Sequence, residues 1–442
     1  MLAKNKAENP PAGESLTMAD VAIVVLLIFN HLSGFLFYGL NLRLGEIIAL
    51  VQTILVCALL FVQYAVSGKV GVSALRANSW LLIWLFVGVY VGAIGLVRNN
   101  GFIGWVYSDL YRYFGVVIIV GLILGTKRSF NVERIVKLMA GYEIVIALVE
   151  IFAVLSGHYP RTSNMMHVLF PYAFTVLLLR GKRVSPFWSI GFAIELARIA
   201  LSLSVTLFLE ATGFLMLIPL LIFKYRQRVV IRYITMLSIL FLVLIMCVKF
   251  LPPSSALFER YGGRLTRLID VRGDISIMGR FLEAQTALTY LYDQGPVAIL
   301  LGTGAGSTYY LPEIMLFAGS KKYLATSFQV HNIHIGPVSV LFRAGIVGLI
   351  LIYMPLIFIP LHLMFRVPQP MGKVIGVFLL FKAIESIQAL RLIGDPFWLF
   401  ILAAANYEIY LRRSRIGAAV RYRQARQVRF QQVADSSSEE RT

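Results

Sequence analysis

Long apolar runs separated by short polar stretches dominate the chain, at 21–38, 47–66, 80–97, 113–125, 135–155, 167–179, 187–203, 206–223, 234–250, 338–365, 374–390 and 397–411. A helix needs about 20 predominantly apolar residues to cross roughly 30 Å of hydrocarbon with every backbone amide paired internally. The pattern therefore predicts an all-α polytopic membrane protein with about twelve transmembrane helices. The divisions are a polar N-terminus over 1–20, helices one to nine over 21–250, a long polar loop over 251–337, three helices over 338–411 and a basic tail over 412–442. No small-residue cleavage site follows the first run, which is expected to be a retained helix. Within the loop, 281–292 alternates apolar and polar positions at helical spacing and predicts short amphipathic helices lying over the membrane surface. The boundary between the seventh and eighth runs is marked by 198–206 alone.

Composition agrees with this picture. Hydrophobic residues make up 58% of 442 positions, charged residues 14%, and the mean hydropathy is +0.77, beyond what a water-soluble core can absorb. The two cysteines, Cys57 and Cys247, lie inside apolar runs, which leaves no disulfide framework and no zinc cluster.

The net charge of +19 would suit nucleic acid, but its distribution points to topology. With the N-terminus in the cytoplasm, alternate loops carry Lys69 and Arg76; Lys127, Arg128, Arg134 and Lys137; Arg180, Lys182 and Arg183; Lys224, Arg226, Arg228 and Arg232; then Arg366 and Lys373. The last run exits into Arg412, Arg413, Arg415, Arg421, Arg423, Arg426 and Arg429. This asymmetry follows the positive-inside rule, makes anionic headgroups rather than nucleic acid the partner of the tail, and puts the long loop outside the cytoplasm.

Cations on that outer side need a reason. Arg98, Arg112, Arg161, Arg260, Arg264, Arg267, Arg272, Arg280, Arg343 and Arg391 suggest an anionic ligand, because guanidinium groups grip phosphate bidentately and a diphosphate engages two or more of them. The competing role for each is pairing with Asp270, Asp274, Glu283 or Asp395, or with headgroups. His331 and His334 stand together at the end of the loop and would share a face if the segment is helical; an imidazole there has the chemistry to take a proton from a sugar hydroxyl. Either one also suits a helix cap or a backbone carbonyl. Inside the runs, Glu143, Glu150, Glu195, Arg198, Glu210, Arg343, Lys382 and Glu385 are costly charges, with Lys382 and Glu385, and Glu195 and Arg198, spaced to neutralise each other. The segment Gly302-Thr303-Gly304-Ala305-Gly306-Ser307 lacks the strand and helix of a nucleotide loop and is expected to be a flexible turn.

Residues 258–352 resemble the O-antigen ligase and O-antigen polymerase superfamily of bacterial polysaccharide assembly. The resemblance rests on Ser276-Ile277-Met278-Gly279-Arg280 before an amphipathic helix, on Leu301-Gly302-Thr303-Gly304-Ala305-Gly306, on His331-Asn332 and on Gly345-Ile346-Val347-Gly348-Leu349. It implies a GT-C-like arrangement and a metal-independent, cofactor-free, inverting glycosyltransferase of the bacterial inner membrane. The implied donor is a glycan on a polyprenyl diphosphate, such as undecaprenyl diphosphate, and the active site is periplasmic. Carried over by position, Arg280 and Arg161 bind the donor diphosphate, and a histidine activates the acceptor hydroxyl. The superfamily pattern places nine residues between a His-Asn pair and Gly-x-x-Gly; His331-Asn332 has the pair and His334 has the gap before Gly345, so His334 is preferred on spacing with His331 close behind. Asn332 and Arg343 are then acceptor-side or orienting residues. Ser204-Val205 stands where many members carry Ser-Arg, and Arg198 would supply the missing charge.

Polymerisation of repeat units is the expected activity. A ligase passing the glycan to lipid A core uses the same donor, and a transporter of polysaccharide or lipid-linked glycan would also suit the buried charges and the span count.

Overall fold

The structure, a computed structural model, describes residues 72–98, 103–110, 116–126, 132–155, 186–202, 275–310, 329–331, 333–367, 370–386, 399–407 and 409–411, together with a few single positions. Helix accounts for 88% of this part. The apolar runs expected at 21–38, 167–179, 206–223 and 234–250 lie outside the described residues, as do nearly all of the run at 47–66, the boundary after the seventh run and most of the basic tail.

In chain order the helices are α1 (Val72–Ala77), α2 (Trp80–Arg98), α3 (Ile103–Leu110), α4 (Val116–Thr126), α5 (Val132–Leu155), α6 (Pro186–Ser202), α7 (Ile275–Asp293), α8 (Pro296–Leu301), α9 (Gly336–Arg366) and α10 (Pro370–Glu385). Residues 399–407 are also helical. Strands β1 (Tyr309–Tyr310) and β2 (Gln329–Val330) pair antiparallel, with Tyr309 opposite Val330, and so join the two ends of the polar segment.

Helices α2 and α9 are long and apolar enough to cross a membrane. Their surfaces fit that solvent. On α2 the inward stripe includes Gly88, Gly92 and Gly95 with Trp84, Val87 and Val91, whereas Leu82, Phe86, Val89 and Val97 point outward. Glycines in the packed seam and large apolar side chains on the outer face are what a lipid solvent favours and water opposes.

One core unites α2, α9, α10 and residues 399–409. Trp84 is fully buried there and donates its indole N–H to the Leu351 carbonyl at 3.2 Å. Asn78, in the turn between α1 and α2, is buried with its polar atoms engaged: its amide donates to the carbonyls of Ala403 (3.0 Å) and Ala74 (3.1 Å), and its oxygen accepts from Trp80 Nε1 (3.0 Å). A buried polar side chain survives only with such partners, and this one ties the start of α2 to the last helical segment.

The apolar run at 338–365 predicts one helix, but the chain breaks it. Gly345 sits at φ 65, ψ −172, so α9 is a short helix followed by a longer one across a kink. A break strands carbonyls that would otherwise bond four residues ahead. The Gly302–Ser307 segment supplies their partners: Phe342 O accepts from the backbone N–H (2.8 Å) and hydroxyl (2.7 Å) of Thr303, and Arg343 O accepts from Gly304 N–H (3.0 Å). Tyr90 donates its hydroxyl to Ala344 O at 2.6 Å.

This corrects the expectation of a flexible turn at Gly302–Ser307. All six residues are buried. Ala305 N–H donates to Val91 O on α2 at 3.0 Å, and Gly304 lies so close to Gly95 that a Cβ on either would collide with the other segment's backbone. The glycines are there because two backbones touch. The segment is a strap wedged between α2 and the kink of α9.

Candidate functional site

The strap, α3 and the start of α9 converge on a polar cluster built around Asp109. Asp109 Oδ2 accepts from Gly306 N–H at 2.9 Å and from Arg343 Nε at 2.6 Å, and Oδ1 lies 3.2 Å from His331 Nε2 outside hydrogen-bond geometry. Burial opposes the charge on this carboxyl, yet the Arg343 guanidinium and the His331 ring outweigh it and hold Asp109 well below the usual carboxylate range, at about 2. Arg343 completes its fork with Ser339 Oγ (2.6 Å) and the His331 carbonyl (2.7 Å). Arg343 is therefore a buried, fully engaged cation that fixes the strap, α3 and the β2–α9 connection to one another. Among the two roles expected of it, its contacts are those of an orienting residue.

The two histidines do not share a helical face. Residues 329–330 are strand, α9 starts at Gly336, and the rings turn to different neighbours. His331 is 9% exposed, stacks on Trp105 with ring centroids 5.2 Å apart and planes 14° from parallel, and has Nδ1 3.2 Å from Ser307 O. A carbonyl only accepts, so Nδ1 carries the proton of that bond.

His334 is 60% exposed. Its Nδ1 lies 2.8 Å from Glu283 Oε2 and 3.1 Å from Oε1, and its backbone N–H donates to Oε2 at 3.3 Å. Glu283 is buried, and Oε1 also accepts the Tyr309 hydroxyl at 3.1 Å. Burial, then the neighbouring carboxylate, raise the Tyr309 phenol far above its ordinary range, so it remains a donor to Glu283. Because a carboxylate accepts and does not donate, Nδ1 carries the proton of this bond, which leaves Nε2 as the nitrogen with a lone pair whenever the ring is neutral. An exposed ring whose other nitrogen is fixed by a buried acid has the arrangement of a positioned general base.

Arg280 stands on the same helix as Glu283. Arg280 precedes Glu283 by one turn, so both lie on the side of α7 that also carries Ala287 and Leu291 into a small core with Tyr309, Ile333 and Phe342. The outward side of α7 bears Phe281, Leu282, Leu288 and Tyr292, all large and exposed.

Arg198 stands elsewhere. It is 2% exposed on α6, with Nε 2.6 Å from Glu150, Nη1 3.2 Å from Glu195 and 3.7 Å from Glu143. Three carboxylates already face it, which corrects its assignment as a ligand for a donor phosphate. Lys382 and Glu385 pair as their spacing predicts, at 2.6 Å. Arg161 and Asn332 lie outside the described residues, as do Arg112, Arg260, Arg264, Arg267, Arg272 and Arg391.

Sequence reasoning missed Asp109, Trp105 and Tyr309, and it gave Glu283 to an arginine rather than to His334. A lone acid in the short polar interval between two apolar runs was the available signal for Asp109. No family model matches the chain, and no curated protein matches it either.

Proposed function

We propose that the chain is an inner-membrane glycosyltransferase that moves a glycan from a polyprenyl diphosphate to an acceptor sugar hydroxyl at the periplasmic face, polymerising O-antigen or exopolysaccharide repeat units. The observation that carries the proposal is the exposed His334 ring, held by buried Glu283 on the same helix as Arg280. In this scheme Nε2 of His334 takes the acceptor's hydroxyl proton as the oxygen attacks the anomeric carbon. The bond from that carbon to the diphosphate breaks on the opposite face, which inverts the configuration. Glu283 keeps the ring aimed and balances the imidazolium as it forms. Arg280, with Arg161, faces the charge that develops on the leaving lipid diphosphate, which needs no metal. The exposed apolar side of α7 supports a place at the membrane surface, where a lipid-borne donor presents its headgroup.

The scheme extends to twelve spans with both termini cytoplasmic. A carrier of lipid-linked glycan is the second reading, favoured by the broken helix at Gly345, since interrupted helices often hold transported solutes. Against it, the carbonyls freed by the break are occupied by Thr303, Gly304 and Tyr90. Purified protein in detergent with a lipid-linked donor separates the two, because turnover requires an enzyme. Arg280→Ala and His334→Ala are expected to lose transfer by at least about a hundredfold while remaining inserted and folded. Full activity in Arg280→Ala removes the donor-site assignment. In cells, a ladder on the lipid carrier marks a polymerase, and one on lipid A core marks a ligase.

A further inference from the structure

Two hydrogen bonds set the register of α2 against α9. Trp84 donates to Leu351 O and Tyr90 to Ala344 O, so residue numbers rise along α2 as they fall along α9 and the two helices run antiparallel. The strap enters this register low: Ala305 N–H donates to Val91 O, and Gly304 lies against Gly95. Val97, 77% exposed, stands six residues beyond Val91, about 9 Å along the helix axis, and Leu96 beside it is exposed as well. A spanning α2 therefore still turns large apolar side chains outward well past the level of the strap, and the cation of its last turn is Arg98. That puts the strap below the headgroups, at the depth of the acyl chains.

Helix α8 leads into the strap at the same level. Its six residues, Pro296-Val297-Ala298-Ile299-Leu300-Leu301, carry no polar side chain. The backbone of Leu300 and Leu301 abuts Gly345, so α8 packs on the kink of α9. Ala298 is buried, whereas Val297 is 61% exposed and Leu300 and Leu301 are exposed too. Just past the kink, Ile346, Val347 and Ile350 are exposed on α9, which carries the apolar surface of a membrane-length helix up to α8. Irregular backbone is tolerated at membrane depth only where protein covers it and its polar groups are bonded. The strap meets both conditions: all six residues are buried, and the N–H groups of Thr303, Gly304, Ala305 and Gly306 donate to Phe342, Arg343, Val91 and Asp109 in turn.

We infer that residues 296–307 form a re-entrant element, in which α8 presses Val297, Leu300 and Leu301 into the acyl chains of the adjacent leaflet and the strap lies behind it. The inference rests on α2 and α9 crossing the membrane and not on any glycan transfer. It moves this part of the segment at 251–337 from the aqueous side into the bilayer. The occupant is lipid because the α8 surface continues that of a helix long enough to span, and it bears no polar side chain to orient an aqueous partner. Seated there, α8 holds the strap, and through Gly306 the Asp109 cluster, at a fixed depth.

The test is spin labelling of the full chain in lipid vesicles. Single cysteines are introduced as Leu300→Cys, Val297→Cys, Val89→Cys or Asp293→Cys in a background carrying Cys57→Ala and Cys247→Ala, and collisions with dissolved oxygen, which concentrates among acyl chains, are compared with collisions with a water-soluble nickel chelate. Labels at 297 and 300 are expected to favour oxygen and to lie about 5–10 Å below the headgroup boundary, the depth of shallow insertion. The label at 89, on the outward face of α2, should favour oxygen too, and the one at 293, at the exposed end of α7, the chelate. Chelate access at both 297 and 300, with 89 in lipid, overturns the inference and leaves the spanning of α2 intact. Protection from both reagents means that protein covers α8, which overturns it as well. Chelate access at 89 takes α2 out of the membrane, and the inference falls with it.

Discussion

Asp109→Asn tests the physical basis of the site most directly. The substitution keeps the shape of the side chain and an oxygen that can accept from Gly306 N–H, but it removes the charge facing Arg343 Nε at 2.6 Å. Arg343 is 3% exposed, so its cation has no solvent to fall back on. Removing one member of a buried ion pair costs about 3–5 kcal/mol, and the bonds that Arg343 keeps to Ser339 and the His331 carbonyl argue for the lower end, about 3 kcal/mol. That is more than about a hundredfold in the folding equilibrium. The measurement is denaturant unfolding in detergent followed by tryptophan fluorescence. Arg343→Met and the double variant complete a cycle in which the double variant should cost less than the two singles together by at least about 1 kcal/mol. A loss within about 0.5 kcal/mol for Asp109→Asn, or strict additivity, would refute the reasoning that an ionic lock holds the strap.

Two further outcomes follow from the same geometry. Asp109 is displaced from an ordinary 3.8 to about 2, so its carboxylate stabilises the fold above pH 3.8, and that contribution is lost as pH falls towards 2; acid unfolding monitored over this window should weaken in steepness when Asp109 is replaced by Asn. Gly345→Ala places a Cβ against the Leu300 carbonyl at a positive φ and should cost at least about 2 kcal/mol, whereas Gly141→Ala, in open space within α5, should be neutral or stabilise by up to about 1 kcal/mol; equal effects at the two positions would show that the kink is not enforced by contact with α8.

Elements were legible where a single period ran long enough. The run at 80–97 became α2 (Trp80–Arg98), and those at 135–155 and 187–203 became α5 and α6 within three residues at each end. Local pairs were legible too, since three residues on one helix fix both Lys382–Glu385 and Glu195–Arg198. What failed was long-range. The partner of Arg343 lies 234 positions away, and nothing in local periodicity could name it. The break at Gly345 was equally hidden, because an apolar run reads the same across a kink, and the strap that stabilises the break looked like a turn for want of side chains. Glycines that signal freedom in a loop signal contact when two backbones meet.

In the proposed mechanism, burial as well as spacing supports His334 over His331 as the base. Spacing favoured His334 over His331 by comparison with a pattern, but it offered no physical reason. The surroundings supply one. A general base must meet its substrate within hydrogen-bond reach, and His331 has its face on Trp105 and its two nitrogens near Ser307 and Asp109. His334 has one nitrogen bound to Glu283 and the other side of its ring open. These four residues of chain therefore carry one anchored ring and one open ring: His331 and its carbonyl bind the loop to Arg343, and this fixes where His334 projects. Loosening the Asp109–Arg343 lock should consequently degrade the proposed transfer at His334 as well as stability, though the partners of Asp109 are Gly306, Arg343 and His331 rather than His334 or Glu283.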